Sequence, residues 1–362
     1  MGIFFIWGSI DIFGSYLPDD VTVLLKDITG LVEPLGTKER EARIQSGVHY
    51  CEMLPVEYEP TEKYMEIYER ALCLYSKITA DAAADCAMRI FEDKGKNAVL
   101  VSLARAGTSA GVLLKRYIKG RFGADVPHYT ISIIRGRGID KNAIDYILKR
   151  HSPKQIQFVD GWTGKGAIQR ELKKAMLCFP EISTGLAVFS DPAFAAEKCG
   201  THEDILIASS LLNSTVSGLL SRTFLRSDII SENDFHGAAF YKELAAKDRT
   251  YEFINAIERH FDFSRKMPSL SGEENPRRGL DEVNEIAEKF GIDDINLIKP
   301  GIGEATRVLL RRVPWKLLVH SLSDNEHLSH LYRLAEEKGV EVEEYPLKNY
   351  KACGIIRNLA DS

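Results

Sequence analysis

A glycine-rich loop near the middle of the chain carries the residues best suited to binding a phosphate group. Residues 157–159 read as the end of a buried strand that leads to Asp160. The loop that follows, and that turns into helical sequence, contains Thr163, Gly164, Lys165 and Gly166. Glycines let a backbone close around a phosphate, and a helix N-terminus offers free N–H groups with a positive dipole. Thr163 adds a donor, Lys165 adds a charge, and Asp160 could hold ribose hydroxyls or Mg²⁺.

The same loop invites comparison with an ATP-binding Walker A loop and with an ordinary turn. The Walker A pattern fails, because Lys165 is followed by Gly166 instead of Ser or Thr, and the glycine spacing differs. A plain strand-to-helix turn with a capping Asp stays open as the structural alternative.

Two more loops follow strand-like sequence in the same way. The strand-like run 97–104 leads into Arg105 and a helix, and the run 128–140 contains Arg135 and Arg137. Together with the glycine-rich loop, these are three consecutive strand-loop-helix units, which predict a parallel sheet covered by helices on both faces. Ligands bind such sheets at the carboxyl ends of the strands, so we expect the three loops to form one binding site.

Helical patterns surround these units. Residues 62–94 have apolar positions at three- and four-residue spacing, which predicts one or two amphipathic helices packed on the sheet. A shorter charged helix is expected to end at Gly47. Residues 201–223 read as apolar helical sequence interrupted by polar side chains, which need hydrogen-bond partners either in a ligand pocket or in the core.

Composition and charge exclude several classes of protein. The 362 residues are 44% hydrophobic and 27% charged, which suffices for two ordinary domains and excludes a disordered or collagen-like chain. The formal net charge of −5 means that any nucleic-acid contact must be a local basic patch. The six cysteines form no CxxC pair, which indicates reduced thiols. No segment reaches the roughly 20 apolar residues of a membrane span, so we expect a cytoplasmic protein without a membrane partner.

Several segments, taken together, resemble a known family. They are residues 14–28, 46–54, 99–116, 128–140, 158–168 and 201–223. They resemble the phosphoribosyltransferase-like proteins of tellurite-resistance and stress operons, some of which are labelled cysteine protease StiP. The resemblance implies a type I phosphoribosyltransferase-like fold, with phosphoribosyl diphosphate and Mg²⁺ as substrate and cofactor.

The resemblance also implies roles for the three loops. Asp160 would be the ribose-binding acid and, with the substrate diphosphate, the magnesium ligand, and the loop from Thr163 to Gly166 would cradle the 5′-phosphate. The short diphosphate loop would be Ala104, Arg105, Ala106, Gly107 and Thr108. A mobile hood would carry Arg135 and Arg137, so the implied catalytic residues are Asp160, Arg105, Arg135 and Arg137.

The chain departs from the family pattern at Gly161, which stands where a second acid is usual. This departure leaves three options: an altered sugar-phosphate substrate, a compensating acid such as Asp140, or a binding site without transfer activity. Within the polar, helix-like segment, the resemblance assigns to the acceptor pocket Asp204, Asn213, Ser217 and Arg222.

Proteolysis by a cysteine needs a thiolate beside a histidine, and two pairs are near in sequence. They are Cys51 with His49, and Cys199 with His202. Neither pair stands in a known nucleophile signature, and a lone cysteine is more often a small buried hydrophobe. We therefore rank proteolysis below the other functions, and a metal site at Cys199 and His202 lower still.

Residues 264–279 are rich in Ser, Pro, Gly and charge, and the sequence beyond them alternates helix and strand as a small α/β/α sandwich would.

From Lys299 to Lys316 there are five basic residues and one acid, Glu304. This region resembles the Pelota and L7Ae group of RNA-binding domains. The implied RNA contacts are Lys299, Gly301, Gly303, Glu304, Thr306 and Arg307. Gly303 stands where that group commonly has Asn, and the structural alternative is a solvated helix face with an internal Glu304–Arg307 pair.

The resulting prediction is an α/β chain with a phosphoribosyltransferase-like domain over 1–265, a linker over 266–278 and an RNA-binding domain over 279–362. The predicted function is an enzyme that uses phosphoribosyl diphosphate and Mg²⁺. The alternative is a non-catalytic sensor of a nucleotide or sugar phosphate with an RNA-binding tail. The expected partners are phosphoribosyl diphosphate or a related sugar phosphate, and RNA, and a homodimer is left open.

Overall fold

The larger sheet is mostly parallel, as the strand-loop-helix pattern predicts. The structure, a computed structural model, describes residues 13–57, 59–269 and 277–357, so most of the predicted linker at 266–278 lies outside the described residues. The α-helices are α1 (Thr37–Gln45), α2 (Glu62–Lys94), α3 (Ala106–Phe122), α4 (Lys141–Leu148), α5 (Ala167–Ala175), α6 (Thr250–Glu258), α7 (Gly279–Phe290), α8 (Ile302–Arg311) and α9 (Asn325–Lys338). The strands are β1 (Thr22–Val23), β2 (Lys26–Asp27), β3 (Val99–Ala104), β4 (His128–Ile134), β5 (Gly138–Ile139), β6 (Ile156–Val159), β7 (Leu186–Ser190), β8 (Lys198–Thr201), β9 (Gly237–Ala238), β10 (Ile298–Pro300), β11 (Pro314–Val319), β12 (Glu341–Glu344) and β13 (Ala352–Ile356).

Within the described residues the large sheet has seven strands, in the order β1-β4-β3-β6-β7-β8, with β5 paired to β4. All neighbours are parallel except the β4–β5 pair. Among the five longer strands, the first in sequence, β3, lies between the second and the third. The strand order therefore reverses between β3 and β6, and such a reversal opens a crevice at the carboxyl ends of the two strands.

Both faces of this sheet are covered because side chains alternate along each strand. Leu100 of β3 belongs to the core that contains α2 and α3, whereas Val99 and Val101 belong to the core that contains α4 and α5. The long helix α2 is continuous over the predicted range. Its N-cap Thr61 accepts a hydrogen bond from the Tyr64 backbone, and Gly95 follows its last residue.

Two sequence predictions in this part of the chain are wrong in detail. The run 128–140 is not one strand with a loop, because Gly136 and Gly138 take positive φ and turn the chain back into the antiparallel strand β5. The segment 201–223 is not helical: it forms short 3₁₀ turns at Ala208–Leu211 and Ser214–Val216. Its polar side chains bond to the backbone and to the second domain, which competes with helix formation.

The carboxy-terminal residues form a second sheet in the order β10-β13-β11-β12. Helix α7 covers one face, where Val283 and Ile286 pack on Ile298, and α8 and α9 cover the other. The predicted α/β/α sandwich is therefore present. The sequence pattern does not predict β13, although this strand lies at the centre of the sheet and is antiparallel to β10 and β11.

One hydrophobic core runs from the first sheet into the second. Ile205 and Leu211 belong to the same buried cluster as Ile302 and Leu309 of α8. The face of the second sheet that carries α8 is thus packed against the segment 204–212. Among the described residues, the helices lack the length and apolarity that crossing a bilayer requires.

Candidate active site

The three predicted loops meet at one edge of the large sheet. Arg105 follows β3, Arg135 follows β4 and Asp160 follows β6, which places all three at the reversal of strand order. A cavity of about 280 Å³ opens there. Its lining joins both domains and includes Ala106, Arg135, Asp160, Trp162, Lys165, Lys299 and Glu304. The sequence did not single out Trp162, although it stands inside the glycine-rich loop.

Asp160 lines this cavity. Its Oδ1 accepts a hydrogen bond from the Gly161 N–H at 2.8 Å, and burial raises the pKa of the carboxyl to about 7. Asp140 does not compensate for Gly161, because its two oxygens accept from the N–H groups of Ala143 and His236. The magnesium role of Asp160 stays a prediction.

The loop predicted to cradle a phosphate is held by the second domain. Lys165 Nζ donates to the carbonyl oxygens of Ile295 at 2.6 Å and Ile298 at 3.2 Å. Tyr350 donates its hydroxyl hydrogen to the carbonyl of Gly164 at 2.5 Å. Burial, together with the neighbouring cations Lys299 and Arg135, lowers the pKa of Lys165 to about 8.

In the predicted diphosphate loop, residues 104–108, Arg105 is half-buried and Gly107 and Thr108 are buried. Arg105 donates to the Leu220 carbonyl at 3.0 Å and borders a smaller cavity. Thr108 is buried and shares a hydrogen bond of 2.7 Å with Thr130, and Gly107 packs against the backbone of Val159. Ala104, the last residue of β3, lies beside them.

Two of the four polar residues assigned to an acceptor pocket, Asp204 and Asn213, bond to the second domain. Asp204 is buried and accepts from the N–H groups of Ile302 and Lys351. The side-chain oxygen of Asn213 accepts from Arg311 at 3.0 Å, and Ser217 donates to the Asn213 carbonyl. Asn213 and Ser217 also line the cavity of about 110 Å³ that Arg105 borders, so their assignment to an acceptor pocket stays a prediction.

The implied RNA contacts divide into two groups. Gly301 and Gly303 face Asp204 and Ser210 of the first domain, and Thr306 is buried with its hydroxyl directed to Ile302 O. The other three line the cavities between the domains: Lys299, Glu304 and Arg307. Glu304 and Arg307 form the internal ion pair at 2.9 Å.

A thiol and an imidazole lie in hydrogen-bond contact beside the turn between β4 and β5, which contains Arg135. The Sγ atom of Cys51 is 3.0 Å from Nδ1 of His49. The same Nδ1 accepts from the Cys51 N–H at 3.4 Å, and the thiol also lies 3.6 Å from the Leu225 carbonyl oxygen. The other ring nitrogen of His49 faces Gly136. The imidazole is therefore placed to take the thiol proton.

The Arg222 side chain and the Arg135 backbone hold the segment around this pair. Arg222 donates to the carbonyls of Tyr50 at 2.7 Å and Met53 at 3.2 Å. The hydroxyl of Tyr50 accepts from the Arg135 N–H at 3.0 Å. Within the part of the chain that the structure describes, Arg222 Nε is buried without a hydrogen-bond partner. Burial raises the pKa of the Cys51 thiol, and Arg137 acts in the opposite direction.

The second pair suggested by the sequence has a different geometry. Cys199 Sγ lies 3.8 Å from Nδ1 and 3.6 Å from Nε2 of His202. His202 Nδ1 instead contacts the backbone oxygen of Asp191 at 2.9 Å. Burial and the Asp191 carboxylate raise the pKa of Cys199 to about 12. The His49–Cys51 pair is thus the better-formed nucleophile.

Comparison with known proteins identifies the family of the chain. The family model described as "Tellurite-like stress resistance cysteine protease StiP" matches residues 14–258, and the model "PELOTA RNA binding domain" matches residues 277–358. The chain belongs to the StiP family. A relative from Acinetobacter baylyi (strain ATCC 33305 / BD413 / ADP1), named "Cysteine protease StiP", is 35% identical over 365 residues, which cover 96% of this chain and 94% of the relative.

Membership of the StiP family corrects the predicted function. Both the family model and the relative are named for a cysteine protease, so the prediction of a phosphoribosyltransferase that uses phosphoribosyl diphosphate is wrong, and so is the low rank given to proteolysis. The sequence offers His49 and Cys51 as one of two candidate pairs of a histidine and a cysteine. Neighbouring positions do not reveal which way a side chain faces, so only the structure shows the contact between His49 and Cys51.

Proposed function

We propose that the chain is a cysteine hydrolase that cleaves peptide bonds, with Cys51 as nucleophile and His49 as its base. The observation that carries this proposal is the 3.0 Å contact between Cys51 Sγ and His49 Nδ1. The names of the family and of the A. baylyi relative support the reaction class.

The reaction follows from the position of the proton. His49 Nδ1 takes the thiol proton, and the thiolate attacks the carbonyl carbon of the substrate to form a carbon–sulfur bond. The carbon–nitrogen bond then breaks, and His49 returns the proton to the leaving amine. Water hydrolyses the thioester, with the same ring as base, and regenerates the thiol. Arg222, whose side chain bonds to the backbone on both sides of Cys51 and whose Nε lacks a partner among the described residues, is the donor that we propose for the oxyanion.

Substrate access requires the β4–β5 turn to move. Cys51 is fully buried, whereas Arg135, Gly136 and Arg137, which contact its neighbours Tyr50, His49 and Glu52, are exposed. Gly136 and Gly138 take positive φ and are the two positions at which the turn changes direction. Opening of this turn would admit a peptide to the thiol.

The test is cleavage of fluorescently labelled casein and of a mixed peptide library by the full chain. We expect Cys51→Ser and His49→Gln to lower the rate at least about 100-fold, since each removes one half of the nucleophile system. Cys178→Ser changes an exposed thiol and should leave the rate unchanged. Full activity in Cys51→Ser would exclude this cysteine as the nucleophile.

RNA is the second partner that we propose, because the Pelota family model matches residues 277–358. Lys299 and Arg307 of the second domain and Arg105 and Arg135 of the first border the cavities around Trp162. An indole beside several cations suits stacking of a base and contact with phosphates.

The RNA proposal is tested by titrating single-stranded and hairpin RNA into the full chain at several salt concentrations. Lys299→Gln and Arg307→Gln should each weaken binding and reduce its salt dependence by about one ion. Lys173→Gln, a change at an exposed cation on α5, is the control. Salt-independent binding, or equal losses in all three variants, would contradict the proposed surface.

We also propose that the large sheet is a phosphoribosyltransferase-like fold used without phosphoribosyl transfer, and that the domains are 1–265 and 279–362. The arrangement of β4-β3-β6-β7-β8, with the glycine-rich loop after β6, supports this fold. The two separate sheets support the division into domains.

A further inference from the structure

Three different metal-binding side chains meet where β7 and β8 end. Asp191 follows β7, Cys199 lies within β8 and His202 follows it. One ligand atom from each residue lies within 4.8 Å of the other two. The set consists of one oxygen, one sulfur and one nitrogen ligand, and it is separate from the His49–Cys51 pair.

The sulfur and the imidazole ring lie side by side. Cys199 Sγ is 3.6 Å from Nε2 and 3.8 Å from Nδ1 of His202. A zinc ion bound at about 2.3 Å to sulfur and about 2.05 Å to nitrogen, with a tetrahedral angle, separates the two ligand atoms by about 3.6 Å. The Sγ–Nε2 distance already has this length, and a rotation of the imidazole would direct the Nε2 lone pair to an ion beside Sγ.

The surrounding groups orient the ligands. His202 Nδ1 donates to the Asp191 backbone oxygen at 2.9 Å, which leaves the lone pair on Nε2, and the ring stacks on Phe194 with centroids 4.0 Å apart. Asp191 Oδ1 accepts from the Thr163 hydroxyl and the Ala195 N–H, whereas Oδ2 accepts one hydrogen bond within the described part of the chain, from the Ala196 N–H at 3.0 Å. At known metal sites, outer contacts of this kind fix the tautomer of the histidine and the orientation of the carboxylate.

The charges of the ligands and the access of solvent to His202 also suit a divalent cation. A thiolate and a carboxylate neutralise two positive charges, so the filled site would bury no net charge. Asp191 is fully buried, but 24% of the His202 side chain is exposed. His202 borders an open cavity of about 600 Å³, through which an ion and a fourth ligand could enter.

We propose that Asp191, Cys199 and His202 form a binding site for a divalent cation of borderline softness, for which Zn²⁺ is the best match. The mixed oxygen, nitrogen and sulfur set suits Zn²⁺ and excludes Mg²⁺ and Ca²⁺ as preferred ions. Three protein ligands and one open side leave a position for water.

The test uses the full chain after treatment with a chelator. Zn²⁺ is titrated by calorimetry, and Co²⁺ is titrated with detection of its ligand-field and thiolate charge-transfer absorption. We expect one equivalent of each ion and a spectrum typical of a four-coordinate ion with one thiolate. Cys199→Ser should abolish the charge-transfer absorption, and His202→Gln should weaken Zn²⁺ binding at least about tenfold. Thr163→Val, which removes a contact to Asp191, should weaken it about tenfold.

Cys51→Ser and Cys178→Ser are the matched controls, because they remove the other candidate thiol and an exposed thiol. Both should leave the stoichiometry and the cobalt spectrum unchanged. His202→Gln alters a partly exposed ring and keeps the proposal testable if Cys199→Ser does not fold. Absence of Zn²⁺ binding in the wild-type chain, or a spectrum that depends on Cys51 and not on Cys199, would overturn the proposal.

Discussion

Burial and two guanidinium groups act in opposite directions on the Cys51 thiol. Burial raises its pKa, and Arg137 and Arg222 lower it, with burial as the larger effect. The thiolate therefore forms only as pH rises above the usual thiol range, unless His49 takes the proton or the turn between β4 and β5 opens. Arg137 and Arg222 thus lower the pKa of the thiol, whereas His49 is the proposed acceptor of its proton.

Replacing Arg137 tests this balance. Arg137→Gln should raise the pKa of Cys51 further, because Glu52, the ion-pair partner of Arg137 at 2.6 Å, is left close to the thiol. We expect alkylation of Cys51 by iodoacetamide at pH 7.5 to slow several-fold and its pH profile to move upward. Mass spectrometry of the labelled peptide gives the rate, with Lys173→Gln as the control. A profile that moves downward would contradict this electrostatic account.

Asp160 supplies a prediction about pH and stability. Its pKa is raised from 3.8 to about 7 in the folded chain, so the folded state holds the proton more tightly than the unfolded state does. Stability from this group is present below about pH 4 and is lost as pH rises through 7. Asp160→Asn should therefore raise the free energy of unfolding at pH 8 by on the order of 2 kcal/mol, and by much less at pH 4. Urea titrations at both pH values check this difference, and an equal effect at both would refute the raised pKa.

At the scale of single elements, the turn between β4 and β5 combines two functions. It joins the two strands of the hairpin, and it contacts the segment of the His49–Cys51 pair through Arg135, Gly136 and Arg137. Gly136→Ala should destabilise the fold by about 1 kcal/mol, because Ala is disfavoured at a φ of +75° although the space there is sufficient. Urea unfolding measures the change. Gly36→Ala, at a φ of −64° with open space, should cost less than about 0.5 kcal/mol.

Elements with strong local patterns could be predicted from the sequence, and elements fixed by distant contacts could not. The apolar spacing of α2 is typical of a helix, and the continuous apolar runs of β3, β6 and β7 are typical of buried strands. The segment 201–223 has a helix-like composition, but its turns depend on contacts with α8 and on residues more than 90 positions away. The short strand β13 is stabilised by β10 and β11 on its two sides and has little local signal of its own.

The same distinction applies to the site. The meeting of Arg105, Arg135 and Asp160 follows from strand polarity, so it could be predicted. The contact between Cys51 and His49 depends on the side-chain directions of a 3₁₀ turn held by Arg222, and the approach of Asp191 to Cys199 depends on the pairing of β7 with β8. Neither contact has a signature in residue spacing.

At the scale of the whole molecule, a buried carboxylate holds the domains together. Asp204 accepts hydrogen bonds from Ile302 at 3.1 Å and 3.2 Å and from Lys351 at 2.9 Å, so it caps α8 from the other domain. Its negative charge also faces the positive end of the helix dipole.

Removing this cap should loosen the association of the domains. Asp204→Ala leaves two buried N–H groups without an acceptor and should cost about 2 to 3 kcal/mol, whereas Asp204→Asn keeps one oxygen and should cost about half as much. Urea unfolding and limited proteolysis compare the two variants with the wild type. Equal stability of Asp204→Ala and the wild type would show that the cap contributes little.

The central position of β13 determines when the second domain can form during synthesis. Translation completes β10 and β11 before β13, yet these strands do not contact each other and are joined only through it. Until residues 352–356 pair with the sheet, a gap separates β10 from β11, and α8 lacks the strand whose Gly354 packs on Ala305 and Val308. This apolar face of α8 is therefore open to aggregation until β13 has paired.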